Sequence, residues 1–123
     1  MNCIIVDDDL LVCKILNRFA HKCSSLNLID TFSESIAARN FLTQRQDIDL
    51  VILDIMMPVM DGFDFIQSLD TPPNIIIVSS AEEYIRKAFD LNVVDYLLKP
   101  VTYQRFYNAI DKTSRLLVAA ASK

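Results

Sequence analysis

Short apolar runs recur along the chain at residues 3–6 (CIIV), 50–53 (LVIL), 75–78 (IIIV) and 93–98 (VVDYLL), with a weaker one at 26–29 (LNLI). Runs this short and nearly continuous fit strands of a parallel sheet covered on both faces. Between them the apolar positions shift to helical spacing. Leu11, Val12, Ile15, Leu16 and Phe19 recur at three and four, followed more loosely by Ile36, Phe41 and Leu42. Phe65, Ile66 and Leu69, then Tyr84, Ile85, Ala88 and Phe89, and finally Phe106, Ile110 and Leu117 continue the alternation. The punctuation agrees: Ser33 reads as the N-cap of the second helix, Thr71-Pro72-Pro73 ends the third, and Thr102 after Pro100 opens the last. The pattern predicts an α/β domain of five βα units, whose right-handed crossovers give a parallel sheet with helices on both faces.

A length of 123 residues suits a single domain, able to bury about two-thirds of its unfolded surface. Its core is expected over residues 1–117, and the tail LLVAAASK reads as a helix end running toward something that this chain lacks. The net charge of −4 speaks against nucleic-acid binding by this domain itself, which needs a basic face, and favours a cation as ligand. Cys3, Cys13 and Cys23 are odd in number and lack CxxC spacing, so they are expected as free thiols in a reducing, cytoplasmic compartment. No apolar stretch approaches the roughly 18 residues of a membrane span, and MNCIIVDDD meets acid too early for a signal peptide. No membrane contact is expected.

The polar residues of interest sit at strand ends. In open parallel sheets ligands bind beyond the carboxyl edge of the strands, where the strand order reverses. The first strand ends in Asp7, Asp8 and Asp9, the third in Asp54, the fourth in Ser79 and Ser80, and the fifth in Lys99 followed by Pro100. Crowded carboxylates repel unless a positive charge joins them. Oxygen ligands without histidine or thiolate suit Mg²⁺, and Lys99 adds a second positive charge. A carboxylate placed as Asp54 is can act as a nucleophile toward phosphorus and form an aspartyl phosphate.

The segments IIVDDD, LVILDIMMPVMDG, IIIVSSAEEY and DYLLKP together resemble the receiver domains of two-component response regulators, over nearly the whole chain. That resemblance implies the flavodoxin-like strand order 2-1-3-4-5. It implies Asp54 as phosphoacceptor, Asp8 as direct Mg²⁺ ligand with Asp7 orienting the ion, and the backbone carbonyl of Met56 as a further ligand. Ser79 is implied as the hydroxyl that meets the phosphoryl group, with Ser80 behind it and Lys99 bridging to the phosphoryl oxygens. Pro58, Gly62 and a cis bond to Pro100 are implied as structural, and Tyr96 as the aromatic switch that turns from exposed to buried. The implied partners are a histidine kinase or phosphotransfer protein and a second copy through the face of the fourth helix, fifth strand and fifth helix. The stretch EEYIRKAFDLNVVDYLLKPV is similar to receivers that precede LytTR-type DNA-binding domains, which assigns DNA contact to an output domain absent from this chain.

Met56 replaces the polar residue often found in the family two positions after the acceptor, and Asn92 stands where many relatives have glycine; asparagine suits a left-handed turn nearly as well. Two other readings compete with the receiver. A Mg²⁺-dependent phosphohydrolase with an aspartyl nucleophile generally has a second acid where Met56 stands, and an unphosphorylated pseudo-receiver would not need the complete set of acids and lysine. The receiver reading makes the chain a regulatory phosphoacceptor that catalyses only its own modification, not an enzyme acting on other substrates. Asp9 reads as a helix cap, His21 as a solvated or capping residue, and Met56, Met57 and Met60 as packing. Tyr103 and Tyr107 read as solvent-facing.

Overall fold

The computed structural model describes residues 1–122; Lys123, the last residue of the tail, lies outside the described residues. Five strands and five helices alternate: β1 (Asn2–Val6), α1 (Leu10–Lys22), β2 (Asn27–Phe32), α2 (Ser35–Thr43), β3 (Leu50–Asp54), α3 (Gly62–Gln67), β4 (Asn74–Ser79), α4 (Ile85–Asp90), β5 (Asp95–Leu98) and α5 (Tyr103–Ala121). The strands form one parallel sheet in the order β2-β1-β3-β4-β5, the flavodoxin-like arrangement that the resemblance implied. The chain moves outward from β1 to β2, then crosses back to β3 on the other side, so the reversal of order falls between β1 and β3.

Successive strand residues point to opposite faces, and both faces are buried. Ile4, Val6, Val51, Leu53, Ile75, Ile77 and Tyr96 belong to one core cluster, with Phe63, Phe65 and Ile66 from α3 and Ala38 and Leu42 from α2. Their strand neighbours Cys3, Ile5, Leu50, Ile52, Ile76, Val78 and Leu97 form the other, with Leu16 and Ala20 from α1 and Phe106, Ala109 and Ile110 from α5. Each fully buried side chain of this size stabilises the fold by about 1.5–3 kcal/mol relative to exposure. Cys3, Cys13 and Cys23 are buried free thiols.

Helix starts follow cap chemistry. The Asp9 carboxylate accepts hydrogen bonds from the N–H groups of Leu11 (2.9 Å) and Val12 (3.3 Å), Asp61 accepts from Asp64 (2.9 Å), and the Thr102 hydroxyl accepts from Arg105 (3.2 Å). α2 departs from expectation: its N-cap is Glu34, without a side-chain cap bond, because Ser35 rather than Ser33 turns into the core. Ile36 lies outward, as do Leu11 and Ile15 on α1. β2 runs to Phe32, further than its apolar run, since an edge strand with half-exposed residues does not need continuous hydrophobicity. β5 begins at Asp95, after Asn92 makes a left-handed turn at φ 63°.

Candidate functional site

Strands β1, β3 and β4 and the edge strand β5 all end at one edge of the sheet, and each carries a polar residue out of the core there. Asp7 follows β1 and is only 1% exposed, while Asp54 closes β3 at 4% exposed. Asp8 is exposed beside them, and the three residues each offer a carboxylate oxygen within 4.8 Å of the others. Asp9 is not in this group, because its carboxylate caps α1. Cys13, one turn into α1, donates its S–H to the Asp7 carbonyl at 3.2 Å and ties the end of β1 to the helix. Sequence reasoning did not single out that thiol's contact.

Lys99, just past β5, reaches this group from the side, with Nζ 3.2 Å from Asp7 Oδ2 and 3.5 Å from Asp54 Oδ1. Its backbone N–H donates to the Ser79 carbonyl at 2.9 Å, which fixes the ends of β4 and β5 together. The Lys99–Pro100 bond is cis. One ammonium faces three carboxylates, so the cluster is short of positive charge. Burial, and next the Asp7 charge, push the Asp54 carboxyl up to about 7, against the pull of Lys99. Burial works against the charge on Lys99, but Asp54 and Asp7 outweigh it and raise its pKa. Asp7 Oδ1 accepts the Asp9 N–H at 2.9 Å, whereas Oδ2 has no hydrogen bond and meets Lys99 only as an ion-pair partner.

A buried carboxylate oxygen without a hydrogen bond, two further carboxylates within reach and one exposed side suit a hard divalent cation that keeps part of its water. The residues therefore fit Mg²⁺.

The loop after Asp54 is shaped by close backbone approach. The N–H groups of Met57 (3.1 Å) and Gly62 (2.8 Å) both donate to the Ile55 carbonyl, and Met60 donates to the Pro58 carbonyl at 2.8 Å. A Cβ at Gly62 would stand 2.6 Å from the Asp54 carbonyl oxygen and 2.9 Å from Ile55 Cα, so no larger residue fits. Val59 adopts φ 71° while 91% exposed, a conformation that β-branched residues avoid and that no local sequence signal announces. Met57 is buried and Met60 half-buried, but the Met56 side chain is exposed beside Asp54, contrary to the packing expected of it.

Ser79 is 1% exposed at the end of β4 and its Oγ accepts the Ala81 N–H at 3.1 Å, while Ser80 faces solvent. Tyr96 is 5% exposed, and its hydroxyl donates to the carbonyl of the same Ala81. The ring is thus in its inward position. Its strand neighbour Asp95 is held by both guanidinium N–H groups of Arg105, at 2.8 and 2.7 Å, an ion pair that sequence reasoning missed. The only prior signal was an acid before Tyr96 and an arginine three residues past the Thr102 cap. Tyr103 is half-buried edge-on to Phe19 at 5.5 Å, so of the two tyrosines expected in solvent only Tyr107 is largely exposed.

The fold and this edge define a flavodoxin-like domain with an acidic, lysine-bearing pocket. The family model for the response regulator receiver domain matches residues 3–111, and the chain belongs to that family. It is 32% identical over 120 residues to a sensory transduction protein LytR of Streptococcus mutans, which covers 94% of this chain and 49% of that protein. The chain spans about half the length of the curated relatives it matches. Among solved structures it resembles the response regulatory domain of protein mrkE from Klebsiella pneumoniae, with TM-score 0.84, 27% identity and full coverage of both chains. It also resembles a chain of the CheX-CheY-BeF3-Mg complex from Borrelia burgdorferi, with TM-score 0.79, 25% identity, and coverage of 89% of this chain and 86% of that one. Among the described residues no helix is long and apolar enough to cross a membrane.

Proposed function

We propose that this domain accepts a phosphoryl group on Asp54 from the phosphohistidine of a histidine kinase or phosphotransfer protein, and that the modification switches its conformation to control an output, namely transcription. The observation that carries this reading is the charge imbalance at the sheet edge: two buried carboxylates and an exposed one, with Lys99, among the described residues, as the one ammonium in contact. In the transfer, an Asp54 carboxylate oxygen forms the new bond to phosphorus as the bond from phosphorus to the histidine nitrogen breaks, and the imidazole leaves with the electron pair. Asp8, Asp7, Asp54 and the Met56 carbonyl would hold Mg²⁺, which when bound neutralises charge on the transferring oxygens. Lys99 supplies the second positive charge at the phosphoryl oxygens. The Asp7 side chain, anchored by the Asp9 N–H, would orient the ion.

Ser79 then follows the phosphoryl group with its hydroxyl. Its present contact to Ala81 N–H gives that movement a direct mechanical link to the loop whose carbonyl holds Tyr96. The acyl phosphate biases an equilibrium between two arrangements of this loop and ring. The output surface is the face of α4, β5 and α5, where a second copy docks, and DNA contact falls to an output domain outside this chain. The domain acts on no substrate other than itself.

Native mass after incubation with acetyl phosphate and Mg²⁺ tests the acceptor. Ser79→Ala is expected to take up phosphate yet lose most of the shifts around Tyr96 in NMR spectra recorded with a beryllofluoride mimic. If Ser80→Ala erases them instead, the hydroxyl assignment moves by one residue.

A further inference from the structure

Tyr96 is gripped from a second direction. β5 is an edge strand, so backbone groups on its outer side have no further strand to pair with. The N–H of Tyr96 donates to Asp95 Oδ1 at 2.8 Å, and its carbonyl accepts from Arg105 at 3.4 Å. Arg105 at the same time forks both oxygens of Asp95. Burial works against the Asp95 charge, but Arg105 and the Tyr96 N–H prevail and hold it below the ordinary carboxylate range. Arg105 sits in the first turn of α5, whose start is fixed by the Thr102 cap on Arg105's own N–H.

Apart from this fork, α5 meets the core on that face through the apolar packing of Phe106, Ala109 and Ile110, with Tyr103 against them. Apolar packing is non-directional and tolerates small slides of a helix along its axis. A planar guanidinium paired with a carboxylate does not, because both hydrogen bonds fail together when either end moves. The fork is therefore the contact that sets where α5 lies relative to Tyr96.

We infer that Arg105 is a positioning residue that transmits the state of Tyr96 to α5, completing a line of contacts from Ser79 through Ala81, Tyr96 and Asp95. This inference rests on the reading of Asp54 as phosphoacceptor. The fork closes from the solvent side, since the Arg105 side chain is 44% exposed and Asp95 12%. Arg105 can thus be changed without opening the core.

The test is a set of amide NMR spectra of the whole chain with and without beryllofluoride and Mg²⁺, for the parent, Arg105→Met, Arg105→Lys and Asp95→Asn/Arg105→Met. The paired variant leaves no buried charge unmatched, which keeps the test available if Arg105→Met alone does not fold. In the parent the mimic is expected to shift resonances from Asp54 to Tyr96 and along α5. Both methionine variants should keep the shifts at Asp54 and Ser79 and lose most of those in α5, with Arg105→Lys between. A residue that merely stabilises α5 would alter the mimic-free spectrum and leave the mimic-induced change intact, so a paired variant whose α5 shifts match the parent's overturns the inference. A parent that shows no mimic-induced shifts at all overturns the phosphoacceptor reading, and the inference with it.

Discussion

Asp54, at the end of β3, and Asp95, at the start of β5, are both buried carboxylates of one sheet, and their surroundings drive them in opposite directions. Asp95 has two guanidinium hydrogen bonds and a backbone N–H, every one aimed at the ionised form. Asp54 has Lys99 at 3.5 Å, shared with Asp7, and two acidic neighbours. The first is depressed below the ordinary carboxylate range and the second raised to about 7. A matched pair fastens helix to strand. An unmatched cluster stores repulsion that an incoming cation relieves.

The sharpest separation of the two sites is chemical. Asp54→Asn is expected to abolish the phosphate mass shift entirely in the presence of Mg²⁺ and a phosphodonor, whereas Asp95→Asn should still be modified. Stoichiometric phosphorylation of Asp54→Asn would move the acceptor elsewhere and end the contrast.

Neutralising the two acids should next change stability with opposite sign. Without metal at about pH 8, Asp54→Asn removes an ill-solvated charge and should stabilise by roughly 1–3 kcal/mol in denaturant unfolding. Asp95→Asn forfeits the charge-assisted fork and should destabilise by about 1–2 kcal/mol, a figure held down by the exposure of Arg105. The pH dependences differ too. The folded pKa of Asp54 is raised from 3.8 to about 7, so its favourable contribution is fully present below the unfolded value and is lost as pH rises through about 7. The gain from Asp54→Asn should accordingly shrink toward zero as pH falls from about 8 to about 4. Asp95 is depressed, so its contribution holds above the unfolded pKa and disappears only in acid, as pH falls through its folded value. Equal and parallel profiles for the two variants would refute the contrast.

Millimolar Mg²⁺ should have the smallest effect, raising the stability of the parent by about 1 kcal/mol through preferential binding to the folded state. Asp8→Ala should remove that increment and Asp95→Asn should preserve it. A magnesium titration of Asp8→Ala that matches the parent would take Asp8 out of the metal site.

The strand-end logic that located Asp54 worked because parallel strands buried on both faces advertise themselves as apolar runs, and the first polar residue after each run must lie at the edge. Asp7, Ser79 and Lys99 were legible for the same reason. Arg105 was not, since a helix-face arginine looks alike in sequence whether it is solvated or reaches back over an edge strand. The N-cap at Glu34 was missed because Ser33 and Ser35 are chemically equal candidates, and only tertiary packing decides which one turns inward. Val59 at φ 71° follows from the loop closing between Asp54 and Gly62, a constraint imposed by neighbours rather than by the residue itself.

Gly62 is the only glycine in the chain, and it touches the site through the absence of a side chain. Every substitution available to it adds at least a Cβ against the Asp54 carbonyl and Ile55 Cα. Position 62 therefore has no neutral neighbours in sequence space: a saturation scan scored on phosphorylation should show a row of failures there as uniform as the row at Asp54. A lineage descending from this chain is closed to drift at a residue that contributes no functional group.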